Sequence, residues 1–278
     1  MNEIVKMNKN GTDRISENFY QIRYYYLGVA DVYMYLLIGE EKALLIDTGY
    51  ASTMVINYVD ELTDLPIKVV NTHGHPDHIG GNRYFDEVYI SKNDLNTARE
   101  YSDPFFLKKI NDMIIHNISL NNDIAIEEYQ KDIELNNSGM NVKYLDLPEK
   151  GYFDLGNRKI YFLETPGHTF GSICLYDERS GVLISGDTLC DKAVLLTFEE
   201  STSVRRYRDS LLKLKEFCKE NYINVIYPAH HDAPIGPELT DRYISLCDGI
   251  IKGEIKGIVR DGVMYADDGK ICLVYKNI

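Results

Sequence analysis

Asn71-Thr72-His73-Gly74-His75-Pro76-Asp77-His78-Ile79-Gly80-Gly81 brings three histidines and an aspartate together within six residues, just where the apolar run Ile67-Lys68-Val69-Val70 gives way to glycine and proline. Side chains alternate between faces along a strand, so a strand end followed by a Gly- and Pro-punctuated turn is where neighbouring side chains can converge on one point. Imidazole nitrogens and carboxylate oxygens suit zinc, iron or manganese. A core does not need this density of ligands, nor does a plain surface turn. The run reads as part of a metal centre built on the end of a strand.

Working outward toward the N-terminus, Val32 to Asp47 (VYMYLLIGEEKALLID) reads as two strands around the turn Gly39-Glu40-Glu41, a hairpin that ends in Asp47-Thr48-Gly49. Met54, Val55, Val59 and Leu62 follow at helical spacing, and Pro66 leads into the strand IKVVNT. The second half repeats the order. SICLYDERSGVLISGDT is strand, polar turn, strand, ending in Asp187-Thr188. A helix follows with Val204, Tyr207, Leu211, Leu214 and Phe217 on one stripe and Ser201 or Thr202 as its N-cap, and then the strand INVIYPAH. Two halves, each a hairpin, a helix and a further strand, predict an α/β fold: a four-layer αββα sandwich of two mixed sheets with outer helices.

One domain is expected over residues 1–278. Between about Ser91 and Asn141 the pattern becomes helical, a helical insertion whose aromatics Tyr101, Phe105 and Phe106 mark it as a candidate lid. Tyr24-Tyr25-Tyr26 reads as strand packing. Residues 254–278 alternate apolar and polar around Asp267-Asp268-Gly269, an accessory hairpin that covers an edge or pairs with a second copy in a homo-oligomer.

Composition narrows the function. An apolar content of 44% in 278 residues supports a substantial core. The net charge of -13 opposes a phosphate backbone, so no nucleic-acid partner is expected. Neither a signal peptide nor an apolar run long enough to span a bilayer is present in the sequence, which predicts a cytoplasmic protein with no membrane partner. The five cysteines contain no CxxC pair and read as reduced core residues.

His168 in Thr165-Pro166-Gly167-His168, Asp187 in Ser185-Gly186-Asp187 and His230 in Tyr227-Pro228-Ala229-His230-His231 all fall at strand ends, the edge on which sites in α/β sheets gather. With these residues the chain resembles the metallo-β-lactamase-fold superfamily of hydrolases, glyoxalase II-like members included, from about Val32 to His230. The resemblance implies that His73, His75 and His168 hold one metal and that Asp77, His78 and His230 hold a second, with Asp187 bridging both. Asp47 would orient a ligand rather than bind metal. The chain departs from the pattern at His231, where many relatives have glycine, so either histidine of the pair could be the ligand; Pro-Ala-His aligns with the usual Pro-Gly-His, which selects His230 and leaves His231 as a plain surface residue or, alternatively, a substrate contact. His116, in the insertion, is not expected to bind metal.

Two divalent ions, zinc favoured over iron or manganese, would present hydroxide at neutral pH and polarise the substrate oxygen, with Asp77 as the catalytic carboxylate that orients the nucleophile or passes a proton to the leaving group. The expected substrate is a small ester, lactone, thioester or related molecule. A β-lactam or phosphodiester hydrolase and an iron-dependent oxidoreductase are the alternatives. The stretch after Asp187, Leu189-Cys190-Asp191-Lys192-Ala193-Val194-Leu195-Leu196-Thr197-Phe198-Glu199-Glu200, has no cationic cluster to grip the carboxylates of a glutathione thioester. A purely structural metal module fits poorly, because structural zinc shells are closed, four-coordinate and often rich in cysteine.

Overall fold

The computed structural model describes residues 11–26, 30–50, 53–109, 112 and 141–276. Strands β1 (Gly11–Ser16), β2 (Phe19–Tyr26), β3 (Ala30–Ile38) and β4 (Ala43–Ile46) pair antiparallel in succession. After helix α1 (Thr53–Leu62) the pairing turns parallel through β5 (Ile67–Val70), β6 (Glu87–Ile90) and β7 (Lys143–Asp146), closing a seven-stranded mixed sheet. The one-turn helix α2 (Pro76–Ile79) separates β5 from β6, and α3 (Leu95–Tyr101) follows β6. The second sheet contains β8 (Tyr152–Asp154), β9 (Lys159–Glu164), β10 (Ile173–Asp177) and β11 (Val182–Gly186). Beyond β12 (Ala193–Leu196) and α4 (Val204–Glu220), β13 (Val225–Pro228) completes it in the order β13-β11-β10-β9-β8.

The period-2 alternation of the strands decides the layers. Tyr33, Tyr35 and Leu37 of β3 with Leu44 and Ile46 of β4 face Ile160, Ile173, Leu175 and Ile184 of the second sheet, forming the inner core. The residues between them, Met34, Leu36, Ala43 and Leu45, face the other way and pack with Val55 and Val59 of α1. On the far side, Cys174, Tyr176 and Leu183 pack under Tyr207, Leu211 and Leu214 of α4 and under Tyr243 and Cys247 of α5 (Glu238–Lys252). The result is the αββα sandwich that the two repeated halves predict.

A third sheet was not foreseen. β14 (Ile258–Arg260), β15 (Val263–Asp267) and β16 (Cys272–Lys276) form an antiparallel ladder, and β16 also pairs parallel with β12. The hairpin expected around Asp267-Asp268-Gly269 is present as β15 and β16, but it joins the segment just after Asp187 through β12 instead of covering an edge of the two main sheets. The cap of α4 also differs from expectation: the side chain of Ser203, rather than Ser201 or Thr202, accepts from Arg206 N at 3.2 Å. Ser201 is instead drawn inward to donate to the His168 carbonyl at 2.7 Å.

Tyr24 is buried in the outer core beside α1, as strand packing requires; the side chains of Tyr25 and Tyr26 lie outside the described residues. So do His116 and, apart from Asp112, residues 110–140 of the insertion. Cys174, Cys190, Cys218 and Cys247 are buried and Cys272 is half-buried; all five are free thiols. No helix among the described residues is long and apolar enough to cross a membrane.

At the end of the sandwich where β10 finishes, Arg158 and Asp177 form a buried two-pronged ion pair, Nε to Oδ1 at 3.1 Å and Nη2 to Oδ2 at 2.6 Å. The remaining guanidinium nitrogen donates to the carbonyls of Asn18 and Ile38 in the first sheet, at 2.6 and 2.9 Å. One side chain thus ties the two sheets together at the end remote from the histidines.

Candidate metal centre

All seven residues expected to hold metal come together at the opposite end of the strands. His73 and His75 leave β5, Asp77 and His78 lie in α2, His168 follows β9, Asp187 follows β11 and His230 follows β13. Gly74 lets the first two histidines sit tight against the chain: a Cβ there would lie 2.9 Å from Ala98 N and 3.0 Å from Asp94 O. At Gly81 an added Cβ would lie 2.5 Å from the Thr48 carbonyl oxygen, so the turn that returns the chain from α2 also demands glycine.

The ring orientations are set from outside the cluster. Asp47 accepts from Thr72 N at 2.7 Å, from Thr72 Oγ1 at 2.8 Å and from His78 Nδ1 at 2.8 Å. Because Thr72 Oγ1 donates to Asp47, it accepts from His73 Nδ1 at 3.1 Å. One carboxylate therefore fixes the tautomers of both His73 and His78 and turns their Nε2 atoms inward. Asp47 does so from a left-handed backbone, φ 61°, which aspartate tolerates better than most residues. His168 Nδ1 donates to the Leu195 carbonyl at 2.7 Å, and His230 Nδ1 to the Asp31 carbonyl at 2.7 Å. His75 is the reverse case: Nε2 donates outward to Glu200 Oε1 at 2.8 Å, so Nδ1 faces in.

Three of the inward atoms lack hydrogen-bond partners. His73 Nε2, His78 Nε2 and Asp187 Oδ1 are buried without a hydrogen bond, which would be costly in a site meant to stay empty. His75 Nδ1 and His168 Nε2 face each other at 2.8 Å with both N–H groups committed elsewhere; a shared cation satisfies both lone pairs. Asp187 spans the cluster, Oδ1 lying 3.4 Å from both His78 Nε2 and His230 Nε2, and Oδ2 lying 3.5 Å from His168 Nε2. His230 Nε2 is 3.2 Å from Asp77 Oδ2. Among the described residues, three groups have ligand atoms within 4.8 Å of one another: His73, His75 and His168; His73, His78 and Asp187; and Asp77, His78 and His230. The donor set of imidazoles and carboxylates fits one or two divalent ions.

The electrostatics divide the cluster in two. Burial, reinforced by the neighbouring histidines, holds His73 well below the usual histidine range, and burial beside His75 takes His168 down to about 4 despite Asp187. These imidazoles stay neutral and available as ligands. At His78 burial is outweighed by Asp77, Asp47 and Asp187, which push it up to about 10; at His230 burial is outweighed by Asp187 and Asp77, which raise it to about 9. Burial opposes the charge on Asp77 and Asp187 too, but the surrounding histidines hold both carboxyls below their ordinary value. Where the carboxylates gather, the site holds positive charge in their field.

A cavity of about 360 Å³ opens over His75, Asp77, His168, Asp187 and His230, and its far wall is Cys190, Ala193, Val194, Leu195 and Phe198. The family model of the metallo-beta-lactamase superfamily matches residues 27–230, a span that contains every one of these ligands. The chain belongs to the metallo-beta-lactamase superfamily. It is accordingly a metal-dependent hydrolase. Among curated relatives, acyl-coenzyme A thioesterase MBLAC2 of Gallus gallus is 24% identical over 234 residues, covering 76% of this chain and 78% of the relative. The probable metallo-hydrolase MJ0888 of Methanocaldococcus jannaschii is 27% identical over 216 residues, covering 76% of this chain and 92% of the relative. The solved metallo-beta-lactamase from Pontibacter korlensis superposes with a TM-score of 0.61 at 17% identity, covering 86% of this chain and 99% of that structure, a likeness of fold.

Two residues of this superfamily member escaped the sequence reading. Asp94, buried, accepts from Gly74 N at 2.9 Å, Gly171 N at 2.6 Å and Thr169 Oγ1 at 2.6 Å, pinning the turn that carries His73 and His75 to the turn that carries His168. Glu200 accepts from His75 Nε2 and from the Tyr101 hydroxyl at 3.0 Å; burial works against its charge, but the His75 hydrogen bond prevails and holds it at about 2. Of the insertion aromatics, Tyr101 thus stands over His75 with ring centroids 5.6 Å apart, Phe106 packs against Tyr101, and Phe105 is exposed. His231 lies at the rim of the cavity, beside but outside the ligand groups.

Proposed function

We propose that this hydrolase is dinuclear, that zinc is its metal, and that it cleaves a small ester, lactone or thioester, with a thioester the first choice. The observation that carries the dinuclear reading is the partnerless trio His73 Nε2, His78 Nε2 and Asp187 Oδ1, a group that shares His73 with the ligand group of His75 and His168 and shares His78 with the ligand group of Asp77 and His230. His73, His75 and His168 would hold one ion, and Asp77, His78 and His230 the other, with an oxygen of Asp187 toward each. Bound there, the ions supply Lewis acidity toward a carbonyl oxygen and lower the pKa of water toward neutrality.

The protein's own groups do the rest. Asp77 is one-third exposed, more than Asp187, His230, His75, His168 or His78, so one carboxylate can face both the reacting centre and the cavity. From there Asp77 orients the nucleophile and passes its proton to the leaving group. The wall of Ala193, Val194, Leu195 and Phe198 gives an acyl chain an apolar seat and keeps water from it. The thioesterase name of the Gallus gallus relative supports the preference for thioesters. The free, mostly buried cysteines support a reducing, cytoplasmic setting, and the acidic charge supports a small molecule rather than a nucleic acid as partner.

Elemental analysis of protein purified without chelator, beside a His73→Ala/His78→Ala variant, tests this. The reading requires about two zinc ions per chain, lost in the variant, and hydrolysis of short acyl thioesters. A single iron would replace hydrolysis with redox chemistry as the leading reading.

A further inference from the structure

His231 takes up a left-handed backbone, φ 66°, at a point in the chain where glycine would be free of strain. The conformation is held from both sides: the Tyr33 hydroxyl donates to the His231 carbonyl at 2.7 Å, and Asp232 N donates to Asp191 Oδ1 at 3.0 Å. Its half-buried ring lies between two cavities. One is the 360 Å³ space over the metal ligands; the other, of about 390 Å³, is lined by Arg23, Asp31, Tyr33, Lys192, Asp232 and Ala233. Of the described residues that line these two spaces, His231 alone belongs to both.

The two cavities differ in chemistry. The first has the apolar wall of Ala193, Val194, Leu195 and Phe198. The second mixes two cationic side chains with two acidic ones and a hydroxyl, and the buried Arg23 Nε has no hydrogen-bond partner there. Donors and acceptors of both signs suit a neutral chain of amide and hydroxyl groups; they suit neither a hydrocarbon, which would strip them of water, nor a polyanion, which Asp31 and Asp232 would repel.

We propose that His231 is a specificity-determining residue that contacts the substrate where its reacting acyl portion passes into a polar, amide-bearing carrier seated in the second cavity. The proposal takes its choice of acyl substrate from the thioester reading above. It explains why a strained histidine stands at a position that glycine fills without cost.

The test uses two ketones in which a methylene replaces the thioester sulfur, one ending in a single acetamide and one in a longer chain of two amides and a hydroxyl, titrated calorimetrically into the metal-loaded protein. The longer ketone is expected to bind at least tenfold more tightly. His231→Gly should narrow that preference to within about twofold, with metal content retained and a thermal midpoint no lower than that of the parent, because the strain is relieved. Lys192→Ala, on the second cavity alone, should narrow it as well. No preference in the parent protein, or a preference untouched by either substitution, overturns the proposal. Hydrolysis of the two matching thioesters is assayed alongside: if neither is cleaved while the binding preference holds and falls with His231, the thioester reading fails and the role of His231 stands.

Discussion

At one end of the sandwich Arg158 and Asp177 bury opposite charges against each other, and every guanidinium nitrogen reaches an acceptor; at the other, five imidazoles and two carboxylates crowd together, and His73 Nε2, His78 Nε2 and Asp187 Oδ1 are buried without a hydrogen bond. The same strands serve both ends. β11 starts beside Asp177 and finishes at Asp187, while β4 starts across the turn from Ile38 and finishes at Asp47. Where the chain supplies its own counter-charges the ends of the strands are locked, and where it withholds them they become a receptor for cations.

The largest effect should come from unbalancing the locked end. Arg158→Ala leaves the Asp177 carboxylate buried without its partner and frees two carbonyls, which should cost about 5 kcal/mol of unfolding free energy; urea denaturation measures it. Exchanging both residues for apolar ones of similar size should restore most of that loss, and a single variant as stable as the parent would break the comparison. At the open end the damage should fall on chemistry instead: Asp77→Asn should lower turnover about 10³-fold and leave the urea midpoint in place. Glu200→Gln should weaken metal binding about 10- to 100-fold, measured by competition with a chromophoric chelator, since it loosens His75 without removing a ligand. Smallest, and confined to neither end, Ser203→Ala should cost about 1 kcal/mol through the lost cap of α4, with metal affinity unchanged.

Much of this was legible in the chain because the decisive signals are local. The run from Asn71 to Gly81 combines a strand end, glycines and ligands in eleven consecutive residues, and the alternation of β3 and β4 sorts inner from outer core by parity. His168, Asp187 and His230 could be placed because each follows an apolar strand. Asp94 and Glu200 could not, since each is a single acid in a polar stretch whose partners lie far along the chain: Gly171 for Asp94, His75 for Glu200. The third sheet was hidden for a similar reason. β12 is only four residues long, and its partner β16 lies beyond α4, β13 and α5. The cap of α4 fell to Ser203 because Ser201 is engaged with the His168 carbonyl, a contact that no spacing rule contains.

The pairing of β12 with β16 has a consequence for how the enzyme comes into being. β12 supplies the Leu195 carbonyl that orients His168 and part of the apolar wall of the cavity, and its neighbour in the sheet is the last strand of the sequence described. A growing chain emerges from the ribosome N-terminus first, so all seven residues of the cluster, His230 last, are synthesised before β16 exists to brace the wall. The wall of the cavity is thus the part of the site whose support is synthesised last among the described strands.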